Sequence, residues 1–131
     1  MKVVKYLTLP TQELEGRDME ISARYRDNVA ILDITGEIIG DARFDLNKAI
    51  QEEIDSDREG LVLNLEEVPM MDSVGLGMMV AAYTSLARKE TKMVLLNVGR
   101  SIRYLLTITK LDQIFEKYDD EDEALESFKQ L

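Results

Sequence analysis

The residue types that could do chemistry in this chain meet in one run, Met70-Met71-Asp72-Ser73-Val74-Gly75-Leu76-Gly77. A carboxylate and a hydroxyl stand side by side, just ahead of an apolar stretch with helical spacing. Asp and Ser are both good helix N-caps, because a side-chain oxygen can accept from an N–H that the first turn leaves unpaired, a contribution of about 1 kcal/mol. Capping accounts for Asp72 or Ser73. It does not account for Gly75 and Gly77, each of which costs about 1 kcal/mol of helix propensity relative to alanine. Glycine at such positions lets another backbone, or a ligand, come close. The residues alone leave both readings open, a capped helix start and a functional loop.

Composition removes most other chemistry. The 131 residues include no His and no Cys. Ser-His-Asp and Cys-His mechanisms are therefore absent, and so are the common zinc sites and any disulfide framework. Carboxylates such as Asp72 and Asp33, with Lys, Tyr, Ser and Thr, are all that an enzyme could use. An enzymatic reading ranks last, and no catalytic residue, metal or cofactor is expected. Gly75-Leu76-Gly77 is not a dinucleotide fingerprint, since Val80 stands where the third glycine would be, and no phosphate loop of the Gly-x4-Gly-Lys-Ser/Thr type occurs. The acidic run Asp119-Asp120-Glu121-Asp122-Glu123 suits the first turn of a helix better than a metal site, because anions favour helix N-termini.

A formal net charge of −10 is the opposite of a nucleic-acid footprint and favours basic protein partners. No stretch approaches the roughly 20 apolar residues of a membrane helix. Met1-Lys2-Val3-Val4-Lys5-Tyr6 lacks the apolar run of a signal peptide. A cytoplasmic chain is expected, with no nucleic acid and no direct membrane contact.

The elements that must position the run follow from periodicity. Met19, Ile21, Ala23 and Tyr25 alternate with polar residues, as in a half-buried strand. Arg26-Asp27-Asn28 is a tight turn into a more continuously apolar strand over 29–35, which makes an antiparallel hairpin. Gly36-Glu37-Ile38-Ile39-Gly40-Asp41 is a loop whose Asp41 can cap a helix carrying Ala42, Leu46, Ala49, Ile50 and Ile54 on one face. A buried strand over 61–65 leads into the motif and a helix over about 74–88. A strand over 92–98, a short helix over 101–110, a strand over 114–118 and a last helix capped by Asp119 complete the chain. Strands alternating with helices imply parallel crossovers. One α/β domain with a mixed sheet is expected over 19–131, preceded over 1–18 by an arm or extra strand and a polar linker at 11–18.

Asp72-Ser73-Val74-Gly75-Leu76-Gly77, after a Leu-rich strand and the Pro69-Met70-Met71 turn, resembles the motif of the anti-sigma-factor antagonists, which are STAS domains. The resemblance runs from about residue 19 to 131. It includes the opening hairpin, Gly36-Glu37-Ile38, Leu63-Asn64-Leu65, Leu95-Leu96-Asn97-Val98 and the segment from Ile108 to Phe115. It implies a protein that is not an enzyme. The resemblance further implies that the serine after the motif aspartate, here Ser73, is phosphorylated by an anti-sigma factor that is also a serine kinase. The unphosphorylated antagonist binds that kinase, the phosphorylated one releases it, and a serine phosphatase restores it. A phosphate adds about −1.5 to −2 charges, which the N–H groups of a helix start tolerate, so the effect is expected at the interface and not on the fold. An alternative is a STAS subunit of another signalling scaffold or of a membrane-transport complex.

Two positions depart from the pattern. Many members have a second Ser or Thr where this chain has Val74, which leaves Ser73 as the only hydroxyl in the motif. Many carry an aspartate where this chain has Ile39.

Helical spacing places Leu76, Met79, Val80, Tyr83 and Leu86 on one stripe, toward the core. Val74, Met78, Ala81 and Ser85 lie on another, more open one. Glu37, Ile38, Ile39 and Asp41 in the glycine loop, with Met78 and Ala81, are the candidate partner surface, and Phe44 is a further candidate contact.

Overall fold

The apolar–polar alternation after Met19 is realised as strand β2 (Glu20–Arg26), which turns through Asp27 and Asn28 into β3 (Val29–Thr35). Both turn residues have positive φ, 52° and 64°, the geometry of a two-residue hairpin loop. Asp and Asn tolerate that region better than most side chains. A computed structural model of the chain describes residues 4–7 and 19–129. Within the N-terminal segment, β1 (Val4–Leu7) pairs antiparallel with β2. The linker expected at 11–18 lies outside the described residues.

Beyond the hairpin, helices and strands alternate as α1 (Ala42–Asp55), β4 (Gly60–Glu67), α2 (Ser73–Arg88), β5 (Lys92–Leu96), α3 (Arg100–Ile108), β6 (Glu116–Tyr118) and α4 (Glu121–Glu126). The described strands form one sheet in chain order from β1 to β6, and β3 to β6 are parallel. This is the mixed α/β sheet that the sequence predicts.

Strand periodicity sorts the core onto two faces. Ala30, Leu32 and Ile34 of β3, and Leu61, Leu63 and Leu65 of β4, join the residues of α1, α2 and α3 in the main core. Val29, Ile31 and Val62 point the other way and are covered by Ala124 and Leu125 of α4. Burial of each Val, Leu or Ile side chain among them contributes about 1.5–3 kcal/mol. The motif therefore sits between a strand and a helix that are both anchored in the main core.

Four local expectations are corrected. The last strand begins at Glu116, two residues late, because 111–115 form a turn with Ile114 N–H donating to Leu111 O at 3.1 Å. That turn lays Phe115 edge-on against Tyr83, ring centres 5.5 Å apart. The final helix is capped by Asp120 and not Asp119: Asp120 Oδ1 accepts from Glu123 N–H at 3.0 Å, while Asp119 faces Arg103 at the surface. Asp120→Ala is expected to lower stability by about 1 kcal/mol, with Asp119→Ala much smaller, as urea denaturation would measure. Asp41 occupies the N-cap position of α1 but makes no capping hydrogen bond. Its backbone is already helical, φ −73° and ψ −12°, whereas a capping side chain works from an extended backbone. Finally, Ile38 in the glycine loop is fully buried.

Candidate functional site

Asp72 organises the site. Its backbone is extended, φ −91° and ψ 174°, which lets Oδ1 accept from Gly75 N–H at 2.8 Å. Its other oxygen, Oδ2, accepts from Gly40 N–H at 3.1 Å. One carboxylate thus ties the start of α2 to the loop that follows β3. The backbone makes the same link. Ile38 N–H donates to Met70 O at 3.1 Å, Asp72 N–H donates to Ile38 O at 3.2 Å, and Gly36 N–H donates to Glu67 O at 3.0 Å. Ile38 and Met71 form a parallel bridge, so the pairing of β3 with β4 resumes beyond its irregularity between Asp33 and Thr35.

The two glycines of the motif divide. A Cβ on Gly75 would stand 2.9 Å from Ile38 O and 3.0 Å from Ile38 Cγ2. The backbone that Gly75 admits is the chain's own loop. A Cβ on Gly77 would meet nothing within 4 Å, and Gly77 is exposed. Its helix cost has no counterpart within the described residues.

Gly75 N–H, and then Gly40 N–H and the Arg43 guanidinium, hold the Asp72 carboxyl below its ordinary range, against a smaller opposing effect of burial. A lowered folded value means that Asp72 stabilises fully above its unfolded value of about 3.9 and loses that contribution as pH falls through the folded value. Asp72→Ala is expected to cost about 1 kcal/mol at neutral pH through the lost cap. The gap to the parent chain should shrink below about pH 4, and urea denaturation across pH checks both.

Ser73 follows as the first residue of α2. It is exposed, and its hydroxyl makes no hydrogen bond among the described residues. Val74 is 49 % exposed and Met70 40 % exposed, while Leu76 packs in the core. The core stripe of α2 is Gly75, Leu76, Met79, Ala82 and Leu86; Val80 and Tyr83 are only half-buried against it.

The candidate partner surface is only partly assembled. Ala81 and Asp41 are exposed, and Glu37 and Ile39 are half-buried. Met78 packs against the core edge. Ile38 is removed from the surface, because the bridge to Met71 turns its side chain into the core. Phe44 is 58 % exposed.

One residue beside the motif, Arg43, escaped the sequence reading, and Met70, quoted there as part of the run, was not singled out as an exposed contact. Arg43, whose Nη1 donates to Gly40 O at 2.8 Å, was legible as a cation in the first turn of a helix, where the dipole disfavours it. On the α4 face, Asp33 is held by Arg24 and by Asn64 Nδ2, the latter at 2.8 Å, and Arg24 also reaches Glu121. Asp33 is thus engaged in a cross-sheet ion pair.

Fold and site together define an α/β domain whose motif stands between the C-terminal end of a central parallel strand and the helix that follows. The STAS domain family matches residues 20–124. An anti-sigma-B factor antagonist of Listeria monocytogenes is 34% identical over 100 residues, covering 75% of this chain and 85% of that protein. An anti-sigma F factor antagonist of Paenibacillus polymyxa is 29% identical over 112 residues, covering 82% and 93%. The crystal structure of an anti-sigma factor antagonist from Mycobacterium paratuberculosis superposes with a TM-score of 0.80 at 28% identity, covering 88% of this chain and 97% of that one. The chain belongs to the STAS domain family, among relatives named as anti-sigma factor antagonists. Among the described residues no helix is long and apolar enough to cross a membrane.

Proposed function

We propose that this chain is an anti-sigma-factor antagonist switched by phosphorylation of Ser73. It binds an anti-sigma factor that is also a serine kinase while Ser73 is free, and releases it once Ser73 carries phosphate. A serine phosphatase restores the binding form. The observation that carries this reading is the position of Ser73: an exposed hydroxyl without a hydrogen-bond partner among the described residues, next to a carboxylate whose two oxygens both accept from backbone N–H groups. Nothing has to unfold for a kinase to reach it.

The surroundings suit a surface that binds. Val74 and Met70 leave apolar area exposed beside the serine, Phe44 is exposed in the first turn of α1, and open space lies over Gly77. Such a patch buries well against a partner. A phosphate placed in that contact brings charge into an interface that must shed water, next to the carboxylate of Asp72, while the helix N-terminus keeps it tolerable to the fold.

Intact mass after incubation with ATP and a candidate anti-sigma-factor kinase is the direct test. A gain of one phosphate, absent from Ser73→Ala, supports the reading. No modification by any candidate kinase, together with stable copurification in a larger complex, would favour a STAS subunit of a scaffold or transport assembly instead.

A further inference from the structure

Arg43 stands beside the motif with no carboxylate claiming it. Its Nη1 donates to Gly40 O at 2.8 Å, and its guanidinium carbon lies 4.2 Å from the centre of the Phe44 ring. Gly40 is also the residue whose N–H donates to Asp72, so a single residue joins Arg43 to the position just before Ser73. The positive charge is felt there, as one of the causes that hold the Asp72 carboxyl low. Arg24, Arg26, Arg58 and Arg103 each pair with a carboxylate. Arg43, like Arg88 and Arg100, has no such partner among the described residues, but of these three it is the one whose charge acts on Asp72. Its place in the first turn of α1 also opposes the helix dipole. Its contacts there are one backbone carbonyl and one exposed ring, which leave most of its donors open.

We propose that Arg43 is the internal receiver for a phosphate on Ser73, an inference that rests on the reading of Ser73 as the modified residue. A guanidinium is a planar fork with several donors, matched to phosphate oxygens. Only one of its donors is spent on Gly40 O, and the stacked Phe44 ring limits where the fork can go. Phosphate and guanidinium together bridge the starts of α2 and α1. They offset the repulsion from Asp72 and keep the phosphate in its dianionic form to lower pH. Arg43 then strengthens the released state: the anion is held on the antagonist's own surface, where a departing partner cannot easily reclaim that surface.

The test installs phosphoserine at position 73 during translation, so no kinase has to be identified. Phosphorus NMR titration and thermal melting are then compared for the parent chain, Arg43→Gln and Arg43→Lys. The second pKa of the phosphate is expected to rise by about half a unit or more in Arg43→Gln. Arg43→Lys should fall in between, since it keeps the charge and loses the fork. The difference in melting temperature between phosphorylated and unphosphorylated protein should move in the same order. Glu37, Asp41, Asp45 and Asp72 bear on the phosphate equally in all three chains, so the comparison isolates Arg43. An identical phosphate titration in parent and Arg43→Gln would overturn the proposal. If Arg43→Gln folds poorly, Arg43→Lys decides through the same titration. Absence of natural phosphate on Ser73 would instead overturn the proposed function and leave this titration readable.

Discussion

Ser73→Asp is expected to stay folded and to lose its partner. A permanent carboxylate at the first residue of α2 lies where the helix dipole favours negative charge. Far-ultraviolet circular dichroism should match that of the parent chain, and the urea midpoint should hold or rise slightly. Binding is the other half of the result. A like charge or an unpaired anion forced into an interface costs several kcal/mol, which is at least about a hundredfold in Kd. Ser73→Ala, which keeps the contact surface and removes the acceptor, should bind the anti-sigma factor as the parent does and persist in the complex when ATP is added. Titration calorimetry of the three chains against the same kinase reads both effects. Loss of fold in Ser73→Asp, or equal affinity of all three, would sink the idea that the switch works at the interface.

Gly75→Val is expected to damage the fold, and Gly77→Ala to improve it. At Gly75 the new side chain must occupy space held by Ile38 O, 2.9 Å from its Cβ. A carbonyl that is itself bonded to Asp72 N–H cannot step aside without opening the Ile38–Met71 bridge. Overpacking of this kind costs about 1–3 kcal/mol, and the upper end is expected here because backbone is the obstacle. Hydrogen exchange at the Gly40 and Asp72 amides should accelerate with it. At Gly77 a methyl group meets nothing within 4 Å, so alanine should gain up to about 1 kcal/mol of helix stability. If Gly77 is kept open for the partner, that same variant binds the anti-sigma factor more weakly. Urea denaturation separates the two glycines, and a binding titration of Gly77→Ala tells whether the open space is used.

What could be read from the sequence follows from what is local. The hairpin was legible because alternation from Met19 to Tyr25 and the Asp27-Asn28 turn are both short-range signals. The order of strands and helices was legible for the same reason, since periodicity changes from one element to the next. Asp72 was legible as a cap by its type and place. Gly75 and Gly77 were not distinguishable, because the atom that needs the glycine, Ile38 O, comes from a different loop. Ile38 and Ile39 were not distinguishable either. A loop has no period, and the bridge to Met71 decides which isoleucine turns inward. Asp119 and Asp120 have identical capping chemistry, so only the exit from β6 could choose between them. Arg43 was visible but silent: Gly40 and Phe44 are its neighbours in the chain, but Asp72 reaches it only when the loop before α1 meets the start of α2.

The continued pairing of Ile38 with Met71 has a consequence for time. Because the sheet runs on into both loops, Ser73 is carried by the rigid frame and not by a segment that must close or open. On the proposed reading, its two states differ in charge and hardly in shape. No conformational transition then limits how fast the signal changes. The response is paced by the enzymes that add and remove the phosphate, and the protein itself keeps no memory beyond that one bond.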